Sequence, residues 1–276
     1  MTTTRPTSAP VSAPPAAPRR VDLRAPLQGL GFFVLGLALL ALVYAGAAAL
    51  RPDLPGLDVI ATTLTGLLRD PWYNRGPNDQ GILNLLVSSL MRVFSGFALG
   101  ALVAIPLGVV MGSIPGIRKV LDQVVQLLRP VSPLAWFPIG LTLFKSAEPA
   151  TVFIIFITAL WPTVINTAFG VSGVPQDFKN VARVFRFTPG QYVFRVLMPY
   201  ALPHIVTGLR ISFGIAWMVI VAAEMLSGKS GIGFYVWDAW NALNLANVVC
   251  AILIIGVTGF LFDRLFNLLE KKVSYV

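Results

Sequence analysis

The chain is poor in the residues that build active sites. Of its 276 residues one is Cys and one is His, and 12 Asp and Glu stand against 21 Lys and Arg. Cys250 alone excludes an internal disulfide and leaves a metal cluster without thiolate donors. His204, directly behind Pro203, has no carboxylate or thiol at ligand spacing and reads as an interfacial side chain. Charged residues make up only 12% of the chain, about half their share in a soluble globular domain. No nucleophile stands beside a base and no paired acids fall inside an apolar run, which excludes a membrane-embedded enzyme. Gly228-Lys229-Ser230 resembles the tail of a phosphate-binding loop, but the leading glycine is missing and no strand precedes it. Any ATPase chemistry therefore belongs to another chain.

Apolar side chains are what the sequence has in abundance. They make up 56% of the residues, and the mean hydropathy is +0.76. Each bilayer crossing takes about 20 predominantly apolar residues, so this length holds five or six crossings in one polytopic domain. The net charge of +9 could suggest nucleic acid, but the basic residues alternate with apolar spans instead of clustering. Those at the N-terminus, at Arg118-Lys119, within residues 180–199 and at Lys271-Lys272 fall on one side. Arg51, Arg69, Arg75, Lys145 and Lys229 fall on the other. That bias puts both termini in the cytoplasm of a multi-pass membrane protein, with lipid as its surroundings and no nucleic-acid partner.

Residues 1–26 open with Thr, Ser, Ala and Pro and cannot bury a core, so a disordered cytoplasmic tail is expected there. A single transmembrane domain is expected over residues 27–272. Its spans fall at residues 27–50, 82–112, 124–144, 151–171, 203–226 and 245–268, and a cytoplasmic loop at 172–202. The first run is too long for a signal core and fits a whole span. Residues 51–81 form an outer loop holding one short helix near Val59 to Leu68. Arg92 falls near a membrane boundary. Arg129-Pro130, Pro133 and Pro138 interrupt the third span, and Pro162 kinks the fourth.

Residues 180–199 form a basic, proline-punctuated island that keeps a helical apolar rhythm and cannot cross a bilayer. Thr188-Pro189-Gly190-Gln191 has the pattern of a capping box, with Thr188 at the N-cap and Pro189 at the first helical position. Two helices meeting at a fixed corner are predicted, over about 176–185 and 189–198, as a cytoplasmic foot for a soluble partner.

At this island the chain resembles the membrane subunits of binding-protein-dependent ABC importers. Their shared loop reads Glu-Ala-Ala, three residues, Gly, nine residues, then an aliphatic residue and Leu-Pro. Alignment on Met198-Pro199 places Asn180-Val181-Ala182 on Glu-Ala-Ala, Arg186 on Gly and Val196 on the aliphatic position. Only Ala182, Val196 and Pro199 keep the pattern's character, so the detail of docking departs from the family's. A second resemblance spans residues 129–264. Arg129-Pro-Val-Ser-Pro-Leu-Ala-Trp-Phe-Pro-Ile-Gly140, Gly208-Leu-Arg-Ile-Ser212, Ala222-Ala-Glu-Met225 and Gly231-Ile-Gly-Phe-Tyr-Val-Trp-Asp238 are similar to the nitrate branch of the nitrate/sulfonate/taurine permeases. Bicarbonate permeases are very similar too.

The resemblance implies an all-α, type I ABC-importer permease bundle of about six transmembrane helices. It also implies ATP-driven import of a small inorganic anion, with nitrate (or nitrite) first and bicarbonate, taurine or an alkanesulfonate as alternatives. The implied partners are a second permease subunit, most simply an identical chain, two cytoplasmic ATPase subunits that bind ATP and Mg, and a periplasmic or lipid-anchored solute-binding protein. It gives Asn180, Val181, Ala182, Arg183, Val184, Phe185, Arg186 and Phe187 the role of coupling to the ATPase. An ATP-independent anion channel or carrier is the rival from another class.

Intramembrane polar residues mark the candidate path, since charge inside a span is costly and tends to face the bundle interior or a wet cavity. Arg210, Trp217 and Glu224 are spaced by seven and lie within about 40° of one helical stripe, with Arg210 and Glu224 about 21 Å apart. They therefore need separate partners. Arg210 reads as an electropositive stage for the anion or as a brace toward headgroups and the island. Glu224 reads as a gate near the outer mouth or as an anchor for the loop at 228–233. Thr158 and Asn166 flank Pro162 and could replace an anion's hydration or hydrogen-bond between helices. Trp136 and Trp161 are expected to shape the cavity or to pack.

Overall fold

The computed structural model describes residues 24–76 and 79–273. The tail expected over residues 1–26 lies outside the described residues, apart from its last three positions. The chain divides into two units, Met1–Asp53 and Leu54–Val276.

The described part of the first unit is one helix, α1 (Arg24–Leu50). From Leu35 onward it shows apolar side chains outward on all sides, among them Leu37, Leu39, Leu42 and Val43. A helix without a polar face suits lipid on every side.

The second unit opens with α2 (Leu57–Arg69), the short helix expected in the outer loop. A hairpin of β1 (Asn74–Gly76) and β2 (Asp79–Gln80) follows. The remaining helices are α3 (Ile82–Ser113), α4 (Pro115–Leu128), α5 (Phe137–Phe144), α6 (Ala147–Ser172), α7 (Gln176–Val184), α8 (Pro189–Tyr192), α9 (Met198–Ser227), α10 (Ile232–Asn241) and α11 (Leu245–Val273).

The core is a three-helix layer of α3, α6 and α9, with α11 packed on α9. Gly96, Gly100, Ala104, Gly108 and Gly112 put a small residue on every fourth position of α3, which is one face of the helix. That face lies on α6. A Cβ added at Gly96, Gly100, Gly108 or Gly112 would come within 2.6 to 2.9 Å of the Cβ of Ile155, Ala159, Thr167 or Val171 respectively. Small residues here let the two backbones close up, as membrane helices do in the absence of a water-driven hydrophobic force. On the other face of α3, Phe94 and Phe97 join Phe213 of α9 and Phe262 and Phe266 of α11 in a ring cluster. Polar cross-links add to this packing: Thr163 and Ser212 share a hydroxyl pair at 2.7 Å, and Ser212 donates to the Ala159 carbonyl.

Among the described residues four helices are long and apolar enough to cross a membrane: Ile82–Ser113, Ala147–Ser172, Pro189–Ser227 and Leu245–Val273. The region expected as a straight span at 124–144 is different. It is two helical pieces, Pro115–Leu128 and Pro133–Phe144, bent by 92°. The cause is local. Arg129 closes α4 through its N–H to the Val125 carbonyl, and Pro130 cannot continue the ladder. Pro133 and Pro138 then set the starts of a 3-10 turn and of α5. The eight residues of α5 reach only about 12 Å, far less than a bilayer's ~30 Å.

A second departure lies in the loop expected on the cytoplasmic side. The helix predicted over 189–198 is not a free-standing piece. It runs through a π turn (Val193–Leu197) straight into α9, so the last long helix but one starts at the corner itself.

Candidate functional site

The corner is built from two caps. After α7, Arg186 adopts the left-handed conformation at φ 51. The Arg186 N–H bonds to the Arg183 carbonyl and the Phe187 N–H to the Ala182 carbonyl, which is the Schellman ending of a helix. Glycine takes that conformation at least strain, and Arg186 is the residue that aligns with the family loop's Gly. Two residues on, the capping box is formed in both directions: Thr188 Oγ1 accepts from the Gln191 N–H and Gln191 Oε1 from the Thr188 N–H. Of the eight residues expected to couple to an ATPase, Ala182 is buried and Phe187 half-buried, while Asn180, Val181, Arg183, Val184, Phe185 and Arg186 are exposed. Val184 is 78% and Phe185 71% exposed, a large apolar display for a nine-residue helix. A cavity of about 490 Å³ lies behind them, lined by Lys179, Arg183, Phe187 and Tyr192 and by Gly112 and Ser113 at the end of α3.

The stripe on α9 is split among different neighbours. Arg210 is held by α11: its Nε and Nη2 donate to Asp263 Oδ1 at 3.0 and 2.9 Å. Its Nη1 donates to Asn267 and to Glu270, at 2.8 and 3.0 Å. Thr207 donates to the other Glu270 oxygen. Two carboxylates thus oppose one guanidinium, and Arg210 is no free electropositive surface. Trp217 is buried in the core beside Phe213 and Ile220 and donates its indole N–H to the Ile255 carbonyl. It shares a cavity of about 200 Å³ with Arg210, Phe213, Asp263 and Phe266, between α9 and α11.

Glu224 is fully buried. It accepts from Arg92 Nη1 and from Ser89 Oγ, both at 2.8 Å, and from the Gly233 N–H at 2.9 Å. Arg92 also donates to the Ser230 carbonyl and Ser89 accepts from the Ile232 N–H. The geometry is that of the loop anchor: one acid, one base and one hydroxyl from α3 and α9 hold residues 230–233. Arg92, expected near a boundary, is instead buried as the partner of Glu224, with Glu148 at 3.8 Å on its other side.

Thr158, Trp161 and Asn166 do come together. They line one pocket of about 280 Å³ with Pro162 and Ile157 of α6, Ile211 and Ile215 of α9, and Arg129, Val131 and Pro133 of the bend after α4. Thr158 donates its hydroxyl proton to the Ile154 carbonyl and Asn166 one amide proton to the Pro162 carbonyl. Trp136 does not line this pocket, and its indole N–H is buried without a partner among the described residues.

Residues 104–275 match the family of binding-protein-dependent transport system inner membrane components. The chain belongs to this family and is a multi-pass inner-membrane protein, a transport component. Its particular kinship lies with anion permeases. The nitrate import permease protein NrtB of Synechocystis sp. is 45% identical over 207 residues, 75% of each chain, and that of Leptolyngbya laminosa is 42% identical over 245 residues, 88% of this chain and 86% of the relative. The bicarbonate transport system permease protein CmpB of Synechocystis sp. is 40% identical over 257 residues, 93% and 90% of the two chains. A chain of the inward-facing MetNI methionine ABC transporter shares the fold, with a TM-score of 0.62 at 15% identity over 70% of this chain and 95% of that one. The expected all-α permease bundle is therefore the fold of this protein.

Proposed function

We propose that this chain is the membrane-spanning subunit of an ATP-driven importer that carries nitrate into the cytoplasm. The observation that carries the anion is kinship: nitrate import permeases are 41 to 45% identical over 75 to 88% of this chain. In this reading two copies pair around a central path, and both termini and the α7 corner face the cytoplasm. Two ATPase subunits, which hold ATP and Mg, dock on residues 180–187, and a solute-binding protein delivers the anion to the outer loops. The rigid double-capped corner converts closure of the ATPase pair into a movement of α9, because the helix leaving the corner at Pro189 is continuous to Ser227. ATP drives the cycle only to the extent that its binding favours one bundle arrangement over the other.

A bicarbonate substrate is the second reading, supported by bicarbonate permeases that are 40 to 41% identical over 90 to 93% of this chain. The test is reconstitution of the chain with its ATPases in proteoliposomes, with ATP hydrolysis and uptake measured against nitrate-, bicarbonate- and taurine-loaded binding proteins. Stimulation by the nitrate-loaded protein is expected. Stimulation by the bicarbonate- or taurine-loaded protein alone overturns the nitrate assignment, and anion uptake without any ATPase overturns the importer.

A further inference from the structure

Of three arginines that are buried in the bundle or line its pockets, two are neutralised. Arg92 is paired with Glu224, and Arg210 with Asp263 and Glu270. Arg129 is the exception: among the described residues its guanidinium has no hydrogen bond and no carboxylate partner, and it lines the pocket that also holds Thr158, Trp161 and Asn166. We infer that Arg129 is the anion-binding residue of the path, set to take a planar, singly charged oxoanion. The inference rests on the importer reading and adds to it the residue that selects the cargo.

Three features support it. The backbone at 129–132 is irregular and stands against the middle of α6. Residues 129–132 are all exposed in the single chain, so the guanidinium reaches the pocket from its open side. The second feature is the donor inventory. The Thr158 proton is spent on its own helix and one Asn166 amide proton on Pro162, leaving one Asn166 N–H and the Trp161 indole N–H, whereas Arg129 brings five in a fixed plane. That fork offers two parallel N–H bonds to two oxygens of a planar anion, a geometry a lysine lacks. The third is the wall opposite: Ile157, Ile165, Ile211 and Ile215 supply no competing acid.

The test uses the assembled complex. On the wild type, arginine modification by phenylglyoxal is followed by peptide mass spectrometry with and without nitrate. Arg129 is expected to be protected by nitrate, while exposed Arg69 is not. Separately, Arg129→Gln is expected to lower nitrate uptake roughly 10- to 100-fold, the loss of one charge-assisted hydrogen-bonding group, and Arg129→Lys to recover part of it. Nitrate uptake without nitrate protection of Arg129 overturns the inference and leaves the importer standing. So does protection that is the same with and without the anion, which marks a permanent ion pair in the assembly. If the complex carries bicarbonate and bicarbonate alone protects, Arg129 keeps its role and the nitrate assignment falls.

Discussion

Glu224 has every carboxylate oxygen engaged and no access to solvent, so its charge is structural before it is anything else. Desolvating the Arg92–Glu224 pair is expensive, and only the further bonds to Ser89, Ser230 and Gly233 make the site tolerable. Removing one partner strands the other charge. Arg92→Met is therefore expected to destabilise the protein by about 3 to 5 kcal/mol. The double variant with Glu224→Gln should lose less than the two single losses together, because the amide keeps an acceptor for Ser89 and Gly233 without a charge. Thermal unfolding of the solubilised complex in the four-member cycle checks this; losses that add to within about 0.5 kcal/mol would mean that the two residues do not act as a pair. At this scale the sequence was only partly legible. Glu224 as anchor of the following loop could be read, because both lie on one short stretch of chain. Its partner could not, because Arg92 is 132 residues away and nothing local distinguishes it from a boundary arginine. The same holds for Arg129, legible as a helix stop through Pro130 and as a pocket residue only once α4 and α6 are placed together.

Helices impose their own logic on what a stripe can mean. Arg210, Trp217 and Glu224 share one face of α9, yet the face meets α11 at one end and α3 at the other, so a common direction does not make a common site. The seam between α3 and α6 is the opposite case, one face against one neighbour for its whole length. Each of its glycines faces a Cβ, so a side chain there must push the helices apart. Gly100→Val and Gly108→Leu are expected to prevent accumulation of folded protein, whereas Gly116→Ala, where nothing lies within 4 Å, should be neutral or better through helix propensity. Monodispersity of the detergent-solubilised variants decides it; a wild-type profile for Gly108→Leu would mean that the seam is looser than this packing requires. The long spans and the capping box were visible in the sequence. Less visible were the 92° bend and the π turn. Prolines mark where a helix is disturbed, but whether the chain turns sharply, as at Pro130, or runs on through a wider turn, as before Pro199, depends on what packs against it.

For the whole molecule, the proposed function depends on a surface that the chain does not cover by itself. Val181, Val184 and Phe185 are exposed beside Arg183 and Arg186, on a helix too short to be stable alone and locked at its exit by two caps. In the proposed topology these apolar side chains lie in water with no lipid to meet, and the flanking arginines favour an acidic partner over another copy of the same basic corner. Energies at such contacts concentrate in a few aromatic and arginine anchors surrounded by near-neutral neighbours. Arg183→Glu with Phe185→Asp removes one of each and reverses the field, while the Schellman ending, which uses only backbone groups, stays in place. The doubly substituted chain is expected to reach the membrane in normal amount and to fail both to co-purify with its ATPase and to support ATP-dependent uptake. Co-purification from solubilised membranes, with uptake in the same preparation, separates the outcomes. Undiminished uptake by that variant would show that force enters the bundle elsewhere than at α7.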